Sequence, residues 1–285
     1  MDSNLYLQLK KIKNNSCFVA VSKSGDTLET ITNLRKVISK NLLKNRLVII
    51  TELKNSDLMQ IGIKYNAEII EHKEFISGRY SVLSESCMFP AALMGLNLYK
   101  FKNLKKFVKN KIFISSLIQN VSGIYTLNTE GIINSVIFNY DSCLNDLAYW
   151  YQQLSAESLG KKRKGIYPSI SFGPKDHHSL LQLYLDGPKD KFFTFFNVSA
   201  KTTTQNKKIN TITKAQSDAV KNIFNSKKIP FRQFTFSRKN ESELGEIFTF
   251  LVLETILLSR LINVNPFDQP AVEEVKIETK RLLKR

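Results

Sequence analysis

Three hydroxyls and a glycine stand within six residues in Ser22-Lys23-Ser24-Gly25-Asp26-Thr27, between a short apolar run and an amphipathic stretch. Hydroxyls so spaced can donate to phosphate oxygens, and a following helix adds unpaired N–H groups and partial positive charge. Gly25 would let the backbone approach a ligand closely. Ser, Asp and Thr before a helix also serve as caps, and on chemistry alone the two readings are even. Further along, Glu157 follows Gln153 by four residues, which puts both on one helical face. Gln269 and Lys276 are seven apart and share a face in the same way. The histidines are His72, His177 and His178. By residue type alone Glu157 is one of many helix-terminal glutamates, Arg79 a turn arginine, and His72 a surface or cleft-edge residue.

The elements that would carry these groups alternate. Phe18-Val19-Ala20-Val21 reads as a strand and Leu28 to Ile38 as a helix, with apolar residues at 28, 31, 34, 37 and 38. Leu47 to Ile50 is a second strand, Asp57 to Tyr65 a short helix and Ala67 to Ile70 a third strand. Helical stretches are expected at 81–98 and 103–127, a strand at Ser135 to Phe138, and a helix at Leu144 to Ser158 carrying the single tryptophan, Trp150. Lys191 to Phe196 is apolar on both faces and should be a central strand. Lys214 to Asn225, Glu241 to Ile262 and Gln269 to Leu283 read as helices, the last with Pro270 at its start, where a missing N–H does no harm. The pattern predicts an α/β protein of two αβα sandwich lobes with parallel sheets that share a cleft, and a C-terminal helical return. The boundaries fall at 1–102, 103–262 and 263–285. A doubly wound lobe normally opens with a strand and a Gly-rich turn, so the first lobe, starting in a helix at Leu5 to Lys13, reads as incomplete.

Composition narrows the classes. The net charge of +17 invites a nucleic-acid reading, yet the charge is mostly Lys and is scattered in short groups such as Lys105-Lys106 and Lys207-Lys208. Phosphate and base recognition leans instead on Arg forks and basic stripes with interleaved aromatics. A solvated basic surface that helps attract anionic substrates is the favoured reading, with no nucleic-acid partner. No run of roughly 18 apolar residues occurs, and the N-terminus has no signal-peptide pattern, so no membrane is expected. Cys17, Cys87 and Cys143 have no paired spacing, which suits a reducing cytoplasm without disulfides or zinc. No metal-ligand cluster is visible, and no metal or cofactor is expected.

The motifs together resemble a known family. Ser22 to Thr30 resembles the sugar-isomerase (SIS) phosphate loop, particularly that of the glucose-6-phosphate isomerase family. Ser77-Gly78-Arg79-Tyr80-Ser81 resembles the family's Gly-Gly-Arg-(Phe/Tyr)-Ser, with Ser77 in place of the first glycine. Glu157-Ser158-Leu159-Gly160-Lys161 resembles Glu-Ser-x-Gly-Lys, and His178-Ser179-Leu180-Leu181-Gln182 resembles His-(Ala/Ser)-x-x-Gln. Phe267 to Lys276 matches Phe-Asp-Gln-x-(Gly/Ala)-Val-Glu-x-x-Lys at every fixed position and is the most specific of these signals.

The resemblance implies an SIS fold in each lobe and an aldose–ketose isomerase of glycolysis and gluconeogenesis. It would interconvert glucose 6-phosphate and fructose 6-phosphate through an enediol. Phosphate contacts are implied for Ser22, Ser24 and Thr27, with Lys23 and Glu29 also at the site. Glu157 would be the base that moves the proton between C1 and C2, and Gln153 and Gln269 would bind substrate. His178 and Lys276 would open the sugar ring, and Arg79 would stabilise the enediolate. The family also implies a homodimer in which the histidine can come from the partner subunit. Two rivals share the loop: an isomerase acting also on mannose 6-phosphate, and a non-catalytic SIS-type sugar-phosphate binder, which has no need of Glu157, His178 and Lys276 together. Family members carry roughly a hundred further residues ahead of the loop, a domain-sized stretch, so weak activity is expected of this chain alone.

Overall fold

A computed structural model describes residues 16–39, 46–102, 104–198 and 207–283. The helix expected at Leu5 to Lys13 lies outside the described residues. The chain divides into two compact units, Met1–Leu98 and Tyr99–Arg285.

In the first unit, β1 (Phe18–Val21), α1 (Leu28–Ser39), β2 (Leu47–Thr51), α2 (Asp57–Lys64) and β3 (Glu68–Glu71) follow in order. The strands form a parallel sheet β1-β2-β3, with Phe18 opposite Leu47 and Val48 opposite Glu68. Strands laid down in one direction with right-handed crossovers put their connecting helices on one face. Accordingly Ile31, Leu34 and Val37 of α1 and Leu58 of α2 pack in one core with Ala20, Leu47 and Ile49. Helix α2 comes close enough that a Cβ on Gly62 would sit 2.8 Å from the Ile49 side chain. Ser56 caps α2, its hydroxyl accepting from Met59 N–H.

Beyond β3 the expected 81–98 helix is broken into pieces. A 3₁₀ turn spans Gly78–Leu83, Ser84 adopts an extended backbone, and α3 runs Glu85–Leu93. Gly95 with φ +81° stops the helix, and α4 is Leu98–Phe101. The 103–127 stretch is likewise two helices, α5 (Leu104–Val108) and α6 (Lys111–Thr129). Asn110 ends the first and caps the second, accepting from Ile112 and Phe113 N–H.

The second unit continues with β4 (Asn134–Asn139), α7 (Asn145–Leu159), β5 (Tyr167–Phe172), α8 (Leu181–Asp186), β6 (Lys191–Val198), α9 (Lys207–Ser226), β7 (Phe231–Phe236), α10 (Glu241–Leu261) and α11 (Pro270–Leu283). All strands are parallel, in the order β5-β4-β6-β7. Strand β6 is central, as its doubly apolar run predicts, and residues 192–196 are buried without a break. The reversal of strand order beside β4 puts helices on both faces. On one face Val136, Phe138, Phe193 and Phe195 pack with Tyr184 of α8 and with Val220 and Phe224 of α9. Tilted and edge-on ring contacts join them, such as Phe193–Phe224 at 4.6 Å and Tyr184–Phe193 at 4.9 Å.

The other face carries a buried ion pair. Glu254 of α10 is fully buried and binds the Arg232 guanidinium of β7. Arg232 also donates to Thr194 of β6 (2.8 Å), Asn120 of α6 (2.7 Å) and the Tyr151 hydroxyl of α7 (2.8 Å). Tyr151 in turn donates to Glu254 at 2.6 Å, and Asn120 donates to the same carboxylate. Three helices and two strands are thereby tied at one point.

The loop after β5 depends on another carboxylate. Asp176 accepts from Ser171 (3.0 Å), Phe172 N–H (2.7 Å) and Ser179 (2.9 Å). Burial alone would raise this carboxyl, but the three donors outweigh it and hold it below its ordinary value.

Two outcomes follow. Glu254→Ala, which strands the Arg232 charge, should lower unfolding free energy in urea by about 3–5 kcal/mol. The apolar pair Arg232→Met with Glu254→Leu should recover much of that loss. Because the Asp176 pKa is lowered on folding, its contribution is full above the unfolded value of about 4 and fades as pH falls through the folded value. The urea midpoint of Asp176→Asn should therefore lie well below wild type at pH 6, with the gap closing toward pH 3.

Candidate active site

The Ser22 loop leaves the carboxyl end of β1, where ligands sit in parallel α/β folds. Its backbone is fixed by Gly25, whose φ of +75° suits glycine and whose added Cβ would lie 2.0 Å from Ser56 Oγ. Ser22 is buried, and its hydroxyl accepts from Gly25 N–H at 3.1 Å and bonds Thr27 Oγ1 at 2.7 Å. If Ser22 donates in that pair, the Thr27 proton is left to point outward, since each hydroxyl owns one proton. Ser24, Thr27 and Glu29 are exposed. Leu58 N–H donates to Gly25 O, and Asp57 N–H to the Asp26 carboxylate, so α2 braces the loop.

Lys23 turns toward the segment after β3. Its ammonium donates to Glu74 O at 2.7 Å and lies 3.7 Å from Glu52. That segment leads into the 3₁₀ turn bearing Arg79, which is buried, its guanidinium 5.5 Å from the Tyr80 ring centre. His72, expected at the surface or a cleft edge, is instead 2% exposed, with Nδ1 3.1 Å from Lys73 O. Its backbone N–H extends the ladder to Thr51 O, which carries the side chain inward.

In the second unit the end of α7 presents Gln153 and Glu157. The Gln153 amide donates to the Glu157 carboxylate at 2.9 Å, the one-turn neighbour relation that their spacing predicts. Just past the helix, Lys161 reaches the connection between α10 and α11. Its ammonium donates to Asn265 O and pairs with Asp268 at 2.9 Å. The Glu157 segment and the Phe267-Asp268-Gln269 segment are thus joined, although they are far apart in sequence. Lys276 lies on α11, where it is exposed and paired with Glu273 at 2.6 Å.

His178 stands apart from this group. It is exposed at the end of the 3₁₀ turn Lys175–His177, beyond the carboxyl end of β5. Helix α7 links the carboxyl end of β4 to the amino end of β5, so its last turn, with Glu157, lies at the amino edge of the sheet. Glu157 and His178 therefore sit at opposite edges within one chain. The neighbouring His177 shares a hydrogen bond with the Tyr140 hydroxyl through Nε2 at 2.5 Å. Burial, with the adjacent His178, keeps its pKa below the ordinary histidine value, and burial raises that of Tyr140.

Sequence reasoning missed the tethering roles of Lys161, Asp268 and Asp176. The first two stand inside quoted motifs, but only their fold neighbours reveal what they hold. Among the described residues no group of three or more His, Cys, Asp or Glu is placed to hold a metal ion, and no helix is long and apolar enough to cross a membrane.

Comparison with known proteins agrees with the motifs. The sequence profile described as phosphoglucose isomerase matches residues 3–177, including the Ser22 loop, Arg79 and Glu157. The glucose-6-phosphate isomerase of Methanocaldococcus jannaschii is 33% identical over 97% of this chain and 74% of its own length. A probable glucose-6-phosphate isomerase of Methanococcus maripaludis is 31% identical over 89% of this chain and 62% of its own length. These alignments run beyond the profile match and take in most of the chain. Two solved structures share the fold over 99% of the chain. A hypothetical protein from Thermus thermophilus has a TM-score of 0.86 at 23% identity over 75% of its length. A glucose-6-phosphate isomerase from Chlamydia trachomatis has 0.75 at 19% over 62%. With the profile covering more than half of its residues, the chain belongs to the phosphoglucose isomerase family.

Proposed function

We propose that the protein is an aldose–ketose isomerase that interconverts glucose 6-phosphate and fructose 6-phosphate through an enediol intermediate. The observation that carries this reading is the meeting, at the end of α7, of the Gln153–Glu157 pair with the Lys161-tethered Gln269 segment. It supplies a carboxylate with a substrate-binding amide beside it, on a helix end held on both sides.

The proposed chemistry balances without an outside oxidant or reductant. The Glu157 carboxylate takes the C2 proton of the open-chain aldose, and electrons flow to the C1 carbonyl oxygen to give the enediolate. Arg79 offsets the developing negative charge. The carboxyl returns the proton to C1 while the O2 proton passes to O1, leaving the ketose. His178 and Lys276 move the protons that open and close the ring, Gln153 and Gln269 hold sugar hydroxyls, and Ser22, Lys23, Ser24, Thr27 and Glu29 form the phosphate end. Phosphate binding far from the reacting carbons contributes orientation to the transition state.

A homodimer completes the scheme, with each site taking Glu157 from one chain and His178 from the other. The support is their placement at opposite edges of one sheet. Helix α7 has 15 residues, about 22 Å of rise. Proton transfer needs contact at about 3 Å. The reading is cytoplasmic, which suits three exposed free thiols.

In a coupled assay of fructose 6-phosphate conversion, wild type should turn over, and Glu157→Gln should lose about 10²–10⁴-fold in kcat. Equal rates would remove Glu157 from the base role, and a wild type with no turnover would remove the function. Mixing inactive Glu157→Gln with inactive His178→Ala should restore about a quarter of wild-type activity, because half the dimers of a twofold assembly are mixed and each has one intact site. No recovery after subunit exchange would place both groups in one chain.

A further inference from the structure

The turn that follows α7 contains consecutive left-handed residues with full side chains. Lys162 and Arg163 have φ of 53° and 59°, and Lys164 N–H closes the turn on Lys161 O at 2.8 Å. Positive φ at both central positions is the mark of a type I′ turn, which Gly, Asn and Asp usually fill. Gly165 continues the bend at φ +113°, where an added Cβ would meet Leu159 O at 2.7 Å. Such backbone costs energy and persists only where the surroundings over-determine it.

The two ends of this turn grip one segment. Lys161 donates to Asn265 O and pairs with Asp268 Oδ1, and Lys164 donates to Ile262 O at 2.9 Å. The Lys161 side chain is only 11% exposed. The segment is also knotted internally. Asp268 Oδ2 accepts from the Asn265 amide at 3.0 Å, and Asn265 Oδ1 accepts from Phe267 N–H at 3.1 Å. One ammonium therefore joins the Asn265 main-chain carbonyl and the Asp268 carboxylate, on two residues that the Asn265 side-chain amide already links.

We propose that Lys161 is a positioning residue for the isomerase site. Its ammonium sets Asn265–Gln269, and with it Gln269 and the start of α11, against the helix end that carries Glu157. The strained turn is the device that brings Lys161 and Lys164 onto that segment. This inference rests on the isomerase reading, but the tether itself has a readout independent of turnover.

The test compares Lys161→Met, Lys161→Arg and Asp268→Asn with wild type in kcat, KM, thermal midpoint and amide hydrogen exchange. Lys161→Met keeps the aliphatic stem and removes the charge. It should reduce kcat/KM by about 10²-fold, through KM as well as kcat, since misplacement of binding groups by an ångström costs that much. Amides across 263–269 should exchange about tenfold faster, a local opening that leaves the rest of the chain unchanged. Lys161→Arg should recover part of both effects. Asp268→Asn should show a smaller loss of the same kind, and the double variant should be no worse than Lys161→Met alone.

Wild-type exchange in Lys161→Met would overturn the tether, whatever the kinetics. Faster exchange with unchanged kcat and KM would show a tether that does not serve the site, and would equally overturn the proposal. A lowered thermal midpoint with unchanged kinetics of the folded enzyme would reduce Lys161 to a structural role. If wild type shows no isomerase activity, the functional reading falls, while the exchange data still decide the tether.

Discussion

The second unit is organised around a charge pair whose carboxylate is fully buried and whose guanidinium is largely withdrawn from water. Placing Glu254 and Arg232 inside a protein costs several kcal/mol per ion, and the cost is offset only where every donor and acceptor finds a partner. Here Thr194, Asn120 and Tyr151 occupy the guanidinium donors that Glu254 does not. Each partner belongs to a different element, so the pair can be satisfied in only one arrangement of α6, α7 and α10 on the sheet. An apolar interior would tolerate small slips of these helices, whereas this network does not. That intolerance fixes where the end of α7 falls.

The parallel sheet imposes a second constraint. Its crossovers return each helix to the amino edge, so groups late in a helix and groups just after a strand face opposite ways. Glu157 and the Gln269 segment share one edge, and His178 with its Asp176-braced turn occupies the other. The phosphate loop follows the strand-end rule in its own unit, with Gly25 and Ser56 in contact and α2 bracing it. Where each group sits is thus a consequence of chain direction more than of any single contact.

Much of this was legible in the residues, and what was not has physical reasons. The strands at 47, 134 and 191 show as apolar runs because they are inner strands, and those at 18 and 68 carry short apolar runs although they are edges. Strands β5 and β7 escaped because other residues interrupt their apolar runs. Pro168 stands in the first, and Arg232 and Gln233 interrupt the second. The helix breaks at Ser84 and Asn110 are made by local side-chain and backbone choices that apolar periodicity does not register. Family motifs singled out Ser22, Arg79, Glu157, His178, Gln269 and Lys276 as candidates. Arg232 with Asn120 and Lys161 with Asp268 lie 112 and 107 positions apart, and no local pattern announces such partners. His72 was misread because an isolated histidine carries no periodic signal of its own burial.

The same contacts explain why a proposed base can sit at a helix end, ordinarily the part of a helix most prone to fray. Six residues before Glu157, Tyr151 is held by a hydrogen bond from Arg232 and one to Glu254. Four residues after it, Lys161 is held by the Asn265 carbonyl and the Asp268 carboxylate. Glu157 is therefore bracketed within less than two turns on either side, one anchor buried in the core and the other at the rim. The core anchor fixes the axis of α7, but the last turn could still unwind about it. The rim anchor removes that freedom and carries Gln269 along with it. A carboxylate held this way keeps a defined position without being sealed from the substrate, which a base buried in the middle of α7 could not do.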